Sequence, residues 1–176
     1  MTGLVRQRAA RTWVLVSIIL LTFLFVPLPT LLMSSQQGEP VLLLPVLFDK
    51  SFTIEYIHSV NKTPVQEHFV LVPGNDLLLT STTFKALGIG TPFLPEEGRL
   101  ENHNGVYVLS GLDRRFKEIN LAFTPLTGHA LVYRGQGFDF KDYFPAGSLI
   151  RLQVKPCSLA EIIASNLRKE AKLDRS

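Results

Sequence analysis

From Trp13 to Met33 the chain carries no charged residue. Those twenty-one positions would reach roughly 31 Å as an α-helix, about the hydrocarbon thickness of a bilayer. A segment of that kind leaves the rest of the chain to build a domain without it. Arg6, Arg8 and Arg11 precede the run, and the next basic residue is Lys50. The positive-inside rule then keeps the N-terminus cytoplasmic and puts the body in the periplasm or outside. The expected division is 1–12 cytoplasmic, 13–33 transmembrane anchor or signal segment, 34–40 linker, 41–156 extracytoplasmic β-domain and 157–176 amphipathic helix and tail. Trp13 to Val26 has the character of a signal-peptide core, but Thr30-Leu-Leu-Met-Ser-Ser35 offers bulky residues where a signal peptidase reads small ones. That favours an uncleaved, single-pass anchor in the inner membrane.

The formal charge is +3, yet setting the three N-terminal arginines aside leaves 15 basic residues against 15 acidic ones. A neutral body lacks the basic excess of a nucleic-acid binder. The single cysteine, Cys157, excludes an intramolecular disulfide, so an extracytoplasmic domain must rest on its core.

Short runs rich in β-branched, aromatic and leucine residues recur at Val41–Phe48, Phe52–Val60, Val65–Val72, Leu77–Phe84, Gly105–Ser110, Glu118–Thr124, Ala130–Arg134 and Ser148–Val154. Turn chemistry separates them: Pro73-Gly74-Asn75-Asp76 closes one hairpin, and Asn104-Gly105 suits a tight turn with positive φ. Leu112-Asp-Arg-Arg115 reads as a short charged turn. Ser158-Leu-Ala-Glu161 matches a capping box, and Leu159, Ile162, Ile163 and Leu167 fall on one stripe of a helix running to about Ala171. The fold expected is mostly β: an antiparallel sandwich or barrel, preceded by one transmembrane helix and followed by a short C-terminal helix.

The candidate site lies in Phe52–Leu71. A four-residue loop at Asn61-Lys62-Thr63-Pro64 would pair Val60 with Val65, His58 with Glu67, Tyr56 with Phe69 and Ile54 with Leu71, all on one face. The opposite face carries Thr53, Glu55, His68 and Gln66 and is the more polar. His58 and Glu67 would then touch, as an oriented imidazole or as a buried hydrogen bond that locks the hairpin. His58 and Ser59 are strand neighbours pointing to opposite faces, so they cannot form a base and nucleophile pair. His68, His103 and His129 lack zinc-like spacing, and Asp113, Asp139 and Asp142 lack the pattern of a calcium loop. Gly88-Ile-Gly90 is not followed by Gly-Lys-Ser/Thr, so phosphate binding is unsupported. No catalytic residue, metal or cofactor is assigned. The binding candidates are His58, Ser59, Lys62, Thr63, Glu67, Phe84, Gly88 and Gly90.

The blocks Tyr56-Ile-His-Ser-Val-Asn-Lys-Thr-Pro-Val-Gln-Glu67, Thr82-Thr-Phe-Lys-Ala-Leu-Gly-Ile-Gly-Thr-Pro92 and Gly128-His-Ala-Leu131 resemble the bacterial domain-of-unknown-function 1850 family. Asn61 stands where the family signature has an acid. The resemblance implies an accessory of TAXI-type TRAP solute transporters, with the membrane subunits or the solute-binding protein as partner. One membrane segment cannot itself form a transport path. An extracytoplasmic enzyme or ligand-binding domain using a His58–Glu67 pair, and a structural envelope protein, are the alternative readings.

Overall fold

The computed structural model describes the backbone of residues 2–87 and 98–173 and the side chains of residues 13–87 and 98–167. The order is α1 (Thr2–Phe23), β1 (Pro27–Ser35), β2 (Pro40–Pro45), β3 (Ser51–Ile57), β4 (Pro64–Val72), β5 (Asp76–Phe84), β6 (Arg99–His103), β7 (Val106–Phe116), β8 (Glu118–Ala122), β9 (Ala130–Tyr133), β10 (Gln136–Asp139), β11 (Leu149–Ser158) and α2 (Leu159–Leu173). The strands form two antiparallel sheets, ordered β2-β1-β11-β8 and β10-β9-β3-β4-β5-β7-β6. Leu31, Met33, Ile150 and Leu152 of the smaller sheet share one buried core with Ile54, Val65, Phe69, Leu77, Phe84 and Leu131 of the larger. The β architecture with a terminal helix is as expected, and its two sheets form a sandwich.

The uncharged run does not form one helix. It splits: α1 ends at Phe23, and Pro27 to Met33 belong to β1, a central strand with β11 on one side and β2 on the other. Pro27 and Pro29 explain the break, because a proline inside a helix removes a hydrogen bond and clashes with the carbonyl four residues back. β1 also shows no polar alternation, being covered on both faces. Leu31 and Met33 enter the main core, while Leu32 packs outward with Leu43 and Ile162 of α2. The β-domain therefore begins at Pro27 rather than at 41, and the expected linker includes the end of β1. Among the described residues no helix is long and apolar enough to cross a membrane.

The turns obey their local chemistry. Gly74 (φ 90°) and Asn75 (φ 60°) join β4 to β5, and Asn104 (φ 54°) with Gly105 (φ 86°) joins β6 to β7. Leu112–Arg115 is not a turn but part of β7, which accommodates an irregularity in its pairing with β5 and a left-handed Gly111 (φ 76°) before running on to Phe116. The α2 capping box forms: Glu161 Oε2 accepts from Ser158 N (2.7 Å) and Ser158 Oγ (2.8 Å), and Glu161 N donates to Ser158 Oγ (3.2 Å). Of the expected stripe only Ile162 is buried, whereas Ile163 and Leu167 are exposed.

Strand directions give the sandwich two distinct ends. β1 leaves α1 at Pro27, where β11 also ends (Pro27 opposite Ser158) and where Ala160 N donates to Leu24 O (3.0 Å). β2 returns to that end, since Pro45 faces Thr30. β3 starts there and runs to the β3–β4 loop at the other end.

Candidate functional site

The β3–β4 loop has four residues, but they are Ser59 to Lys62, two positions earlier than the sequence suggests. His58 N donates to Thr63 O (2.9 Å), and Lys62 N donates to His58 O (2.9 Å), with Lys62 left-handed at φ 53°. Pro64 is compatible with this choice. It opens β4 opposite Ile57, in the pair next to the hydrogen-bonded 58–63 rung, where an antiparallel ladder asks no N–H of it toward β3. The whole register follows, so that Tyr56 pairs with Val65 and Ile54 with Glu67. Each β3 residue meets a partner four positions earlier on β4 than expected. The offset is even, so the two faces keep their assignments: Phe52, Ile54, Val65, Phe69 and Leu71 are buried.

The expected His58–Glu67 contact is therefore corrected. His58 stands on the rung that closes the loop, where its Nδ1 accepts from the backbone of Val60 (3.3 Å) and Asn61 (3.2 Å). That use makes the imidazole a loop-closing group. Glu67 instead receives the Tyr56 hydroxyl on Oε1 (3.2 Å). Burial raises the Glu67 pKa, opposed by the Tyr56 hydrogen bond and by the Arg114 guanidinium from β7. Burial likewise raises Tyr56, with the Glu67 charge adding to the effect. On its other side Glu67 faces Thr82 of β5, which is 0% exposed and whose Oγ1 has no hydrogen-bond partner among the described residues.

An aromatic stack flanks this polar strip. The His129 ring lies between Tyr56 (centroids 5.3 Å apart) and Phe140 (5.9 Å), with Phe123 edge-on at 6.4 Å. The short 3-10 turn Pro125–Thr127 presents Thr127 Oγ1 to His129 Nδ1 (2.9 Å). Burial lowers the His129 pKa, so the ring is neutral near pH 7. Tyr56, Glu67, Thr82, Arg114 and His129 thus form a polar and aromatic seam inside the larger sheet. Sequence reasoning placed Tyr56 on the right face but paired it with Phe69, where the structure pairs it with Val65, and it named neither Thr82 nor Arg114 as a site residue. His129 could have been found, because Gly128-His-Ala-Leu131 was among the blocks already singled out.

The remaining candidates separate by exposure. Ser59 and Lys62 are exposed at the loop and Thr63 is half-buried. Phe84 is 1% exposed and stacks on Tyr107 (5.7 Å), so it belongs to the core and not to a rim. Gly88 and Gly90 lie outside the described residues. The outer face of the larger sheet is polar as expected: His68 Nδ1 meets Thr53 Oγ1 (3.0 Å), its Nε2 meets Thr83 Oγ1 (3.4 Å), and Gln66 Nε2 donates to Glu55 Oε1 (2.7 Å). Burial lowers the His68 pKa, partly offset by Glu55. Among the described residues no group of three or more His, Cys, Asp or Glu side chains is placed to hold a metal ion.

The β3–β4 loop, the end of β5 at Phe84 and the turn before β9 all lie at the end of the sandwich away from α1. The described parts of the three sequence blocks therefore converge on one place. No curated protein and no solved structure matches the chain. Residues 52–140, just over half of the chain, match the family described as Domain of unknown function (DUF1850). Its span takes in the seam and the loop above it, and the chain belongs to that family.

Proposed function

We propose that the protein is a membrane-tethered, extracytoplasmic accessory of a TAXI-type TRAP solute transport system, acting without catalysis by binding a transporter component. The observation that carries this reading is α1. Every residue from Trp13 to Phe23 is exposed, including Trp13 at 71%, and Phe25 and Val26 continue the apolar surface. An apolar rod that its own sandwich leaves uncovered matches a lipid environment. Before this exposed stretch in the sequence stand Arg6, Arg8 and Arg11. They favour the inner face for the N-terminus and the outer side for the body.

The partner comes from the resemblance of the three blocks to a transporter-linked family, and their convergence opposite α1 supports recognition at the exposed β3–β4 loop. An enzyme built on a His58–Glu67 pair loses its geometry, since His58 closes a loop and Glu67 faces Tyr56. The test is co-purification from detergent-solubilised membranes, comparing the wild type with Lys62→Glu and with a control protein carrying α1 alone. A TRAP membrane subunit or a TAXI solute-binding protein should be enriched by the wild type and depleted by Lys62→Glu. No enrichment over the control ends the reading.

A further inference from the structure

Among the described residues Phe48 is the most exposed large apolar side chain, at 88%, and Leu47 beside it is exposed as well. Both stand in the connection from β2 to β3, which carries the chain from the smaller sheet to the larger. That connection is braced. Buried Val46 donates its N–H to Pro29 O (2.8 Å), and the Tyr133 hydroxyl lies within reach of both Pro45 O (3.0 Å) and Asp49 O (3.1 Å), one on each side of the apolar pair. Ser51 N and Oγ donate to Asp49 Oδ1 (2.9 and 2.6 Å). The backbone around Leu47 and Phe48 is therefore fixed while their side chains are left uncovered.

The pair sits at the α1 end of the sandwich, where β2 ends and β3 begins. Phe25 and Val26 are exposed at the same end, between α1 and β1. Only Leu24, Phe25 and Val26 separate the helix from the strand, and three residues reach at most about 11 Å. Ala160 of α2 also holds Leu24 by its carbonyl. Wherever the last turn of α1 lies, this end of the sandwich must lie close to it.

Charge does not choose the partner here. Asp49 stands against Lys50 in the same connection and Arg134 in the neighbouring β9–β10 turn, all three exposed, and Lys117 is paired with Asp76 at the next turn. Apolar contact is what the surface has to offer, and a neutral bilayer surface takes up an exposed aromatic and an aliphatic side chain in its interfacial layer.

We infer that Leu47 and Phe48 form a second membrane contact, a loop that dips into the lipid surface beside α1 and sets which end of the sandwich faces the bilayer. The inference rests on the reading of α1 as the tether and adds to it a fixed orientation, with the β3–β4 loop held away from the lipid.

The experiment uses the full-length protein in nanodiscs of phosphatidylcholine, plain or brominated on the acyl chains near the headgroup. Trp13 is the only tryptophan, so quenching of the wild type by the brominated lipid reports on α1 alone. In a Trp13→Phe background, Phe48→Trp then reports on the loop. Leu126→Trp in the same background is the control, since Leu126 is 86% exposed at the opposite end. Melting curves matching the Trp13→Phe parent confirm that both variants fold. The Phe48→Trp protein should lose emission in brominated lipid and shift to the blue, and the Leu126→Trp protein should do neither. Quenching of the wild type without quenching of Phe48→Trp would overturn the loop contact, leaving the tether standing and this surface open to a protein neighbour. Equal quenching of Phe48→Trp and Leu126→Trp would overturn the fixed orientation. An unquenched Trp13 would end the tether reading and this inference with it.

Discussion

The Tyr56 hydroxyl and the Glu67 carboxylate meet diagonally across the β3–β4 ladder, 3.2 Å apart on the core side of the sheet. A carboxylate in that position is tolerated because it has a donor and a nearby cation, the Arg114 guanidinium. Tyr56→Phe should cost about 1 to 2 kcal/mol and raise the Glu67 pKa further, since one stabiliser of its charged form is gone. In a double-mutant cycle by urea denaturation, Tyr56→Phe and Glu67→Gln should show a coupling of about 1 kcal/mol, while His58→Ala and Glu67→Gln should be additive.

Glu67 also fixes a sign. Its folded pKa lies above the ordinary carboxylate value, so the native state holds the proton more tightly than the unfolded chain. The stabilisation it gives is complete below the ordinary value and fades as pH rises through the folded pKa. Glu67→Gln should remove that part of the pH dependence, measured as melting temperature from pH 4 to pH 7 against wild type.

His129 and His68 act in the opposite sense. Both have lowered pKa values, with burial as the main cause, so the folded domain resists their protonation. Stability is present above the ordinary histidine value and is lost as pH falls through the folded one. His129→Gln should flatten the stability profile below about pH 6.5, and adding His68→Gln should flatten it further. An unchanged slope in the double variant would contradict the burial of both rings.

Lys62 occupies left-handed backbone at φ 53°. Glycine adopts that conformation without strain, so Lys62→Gly should leave stability level or raise it by up to about 1 kcal/mol, and Lys62→Val should lower it by about 1 kcal/mol or more. Urea midpoints decide it. Because the Lys62→Glu variant keeps the same backbone requirement, loss of a partner by that variant would report on charge and not on folding.

At the other end of the molecule, the exposed apolar residues of α1 should govern membrane recovery without governing the fold. Ile19→Arg with Leu20→Arg should shift the protein out of the membrane fraction while the melting temperature of the sandwich changes little. A variant that stays membrane-bound would argue that α1 is not the tether. Ser158→Ala, by contrast, should cost about 1 kcal/mol through the α2 cap and leave membrane recovery alone.

Local chemistry carried much of this fold into the sequence. Asn104-Gly105 and Pro73-Gly74-Asn75-Asp76 announce their turns, and Ser158 with Glu161 announces α2, because each motif satisfies its own backbone. The alternation around Phe52, Ile54, Val65 and Phe69 likewise reveals the buried face. What stayed hidden depends on distant partners. β1 vanishes into the uncharged run because a strand covered on both sides has no polar alternation to distinguish it from an apolar helix. β6, Arg99-Leu-Glu-Asn-His103, is a polar edge strand without β-branched residues, and β7 continues through Asp113, Arg114 and Arg115 only because β5 lies alongside. At the candidate site the face was readable but the rung was not. Ser59–Lys62 and Asn61–Pro64 are loops of equal length that both spare the proline nitrogen, and moving the loop by two residues exchanged His58 for Tyr56 as the neighbour of Glu67.

The join between α1 and β1 has a mechanical consequence. A pull on α1 enters the sandwich along the axis of β1, which is clamped by ladders to β11 from Pro27 to Ser35 and to β2 from Thr30 to Ser34. If the opposing load is taken at the far end of the domain, both ladders are strained in shear, and their rungs must yield together instead of peeling one at a time. A tether fastened to an edge strand or to a loop would unzip under far less force. By threading its first strand through the middle of the smaller sheet, the chain gives a domain held at one end and loaded at the other the stiffer of the two ways to carry tension.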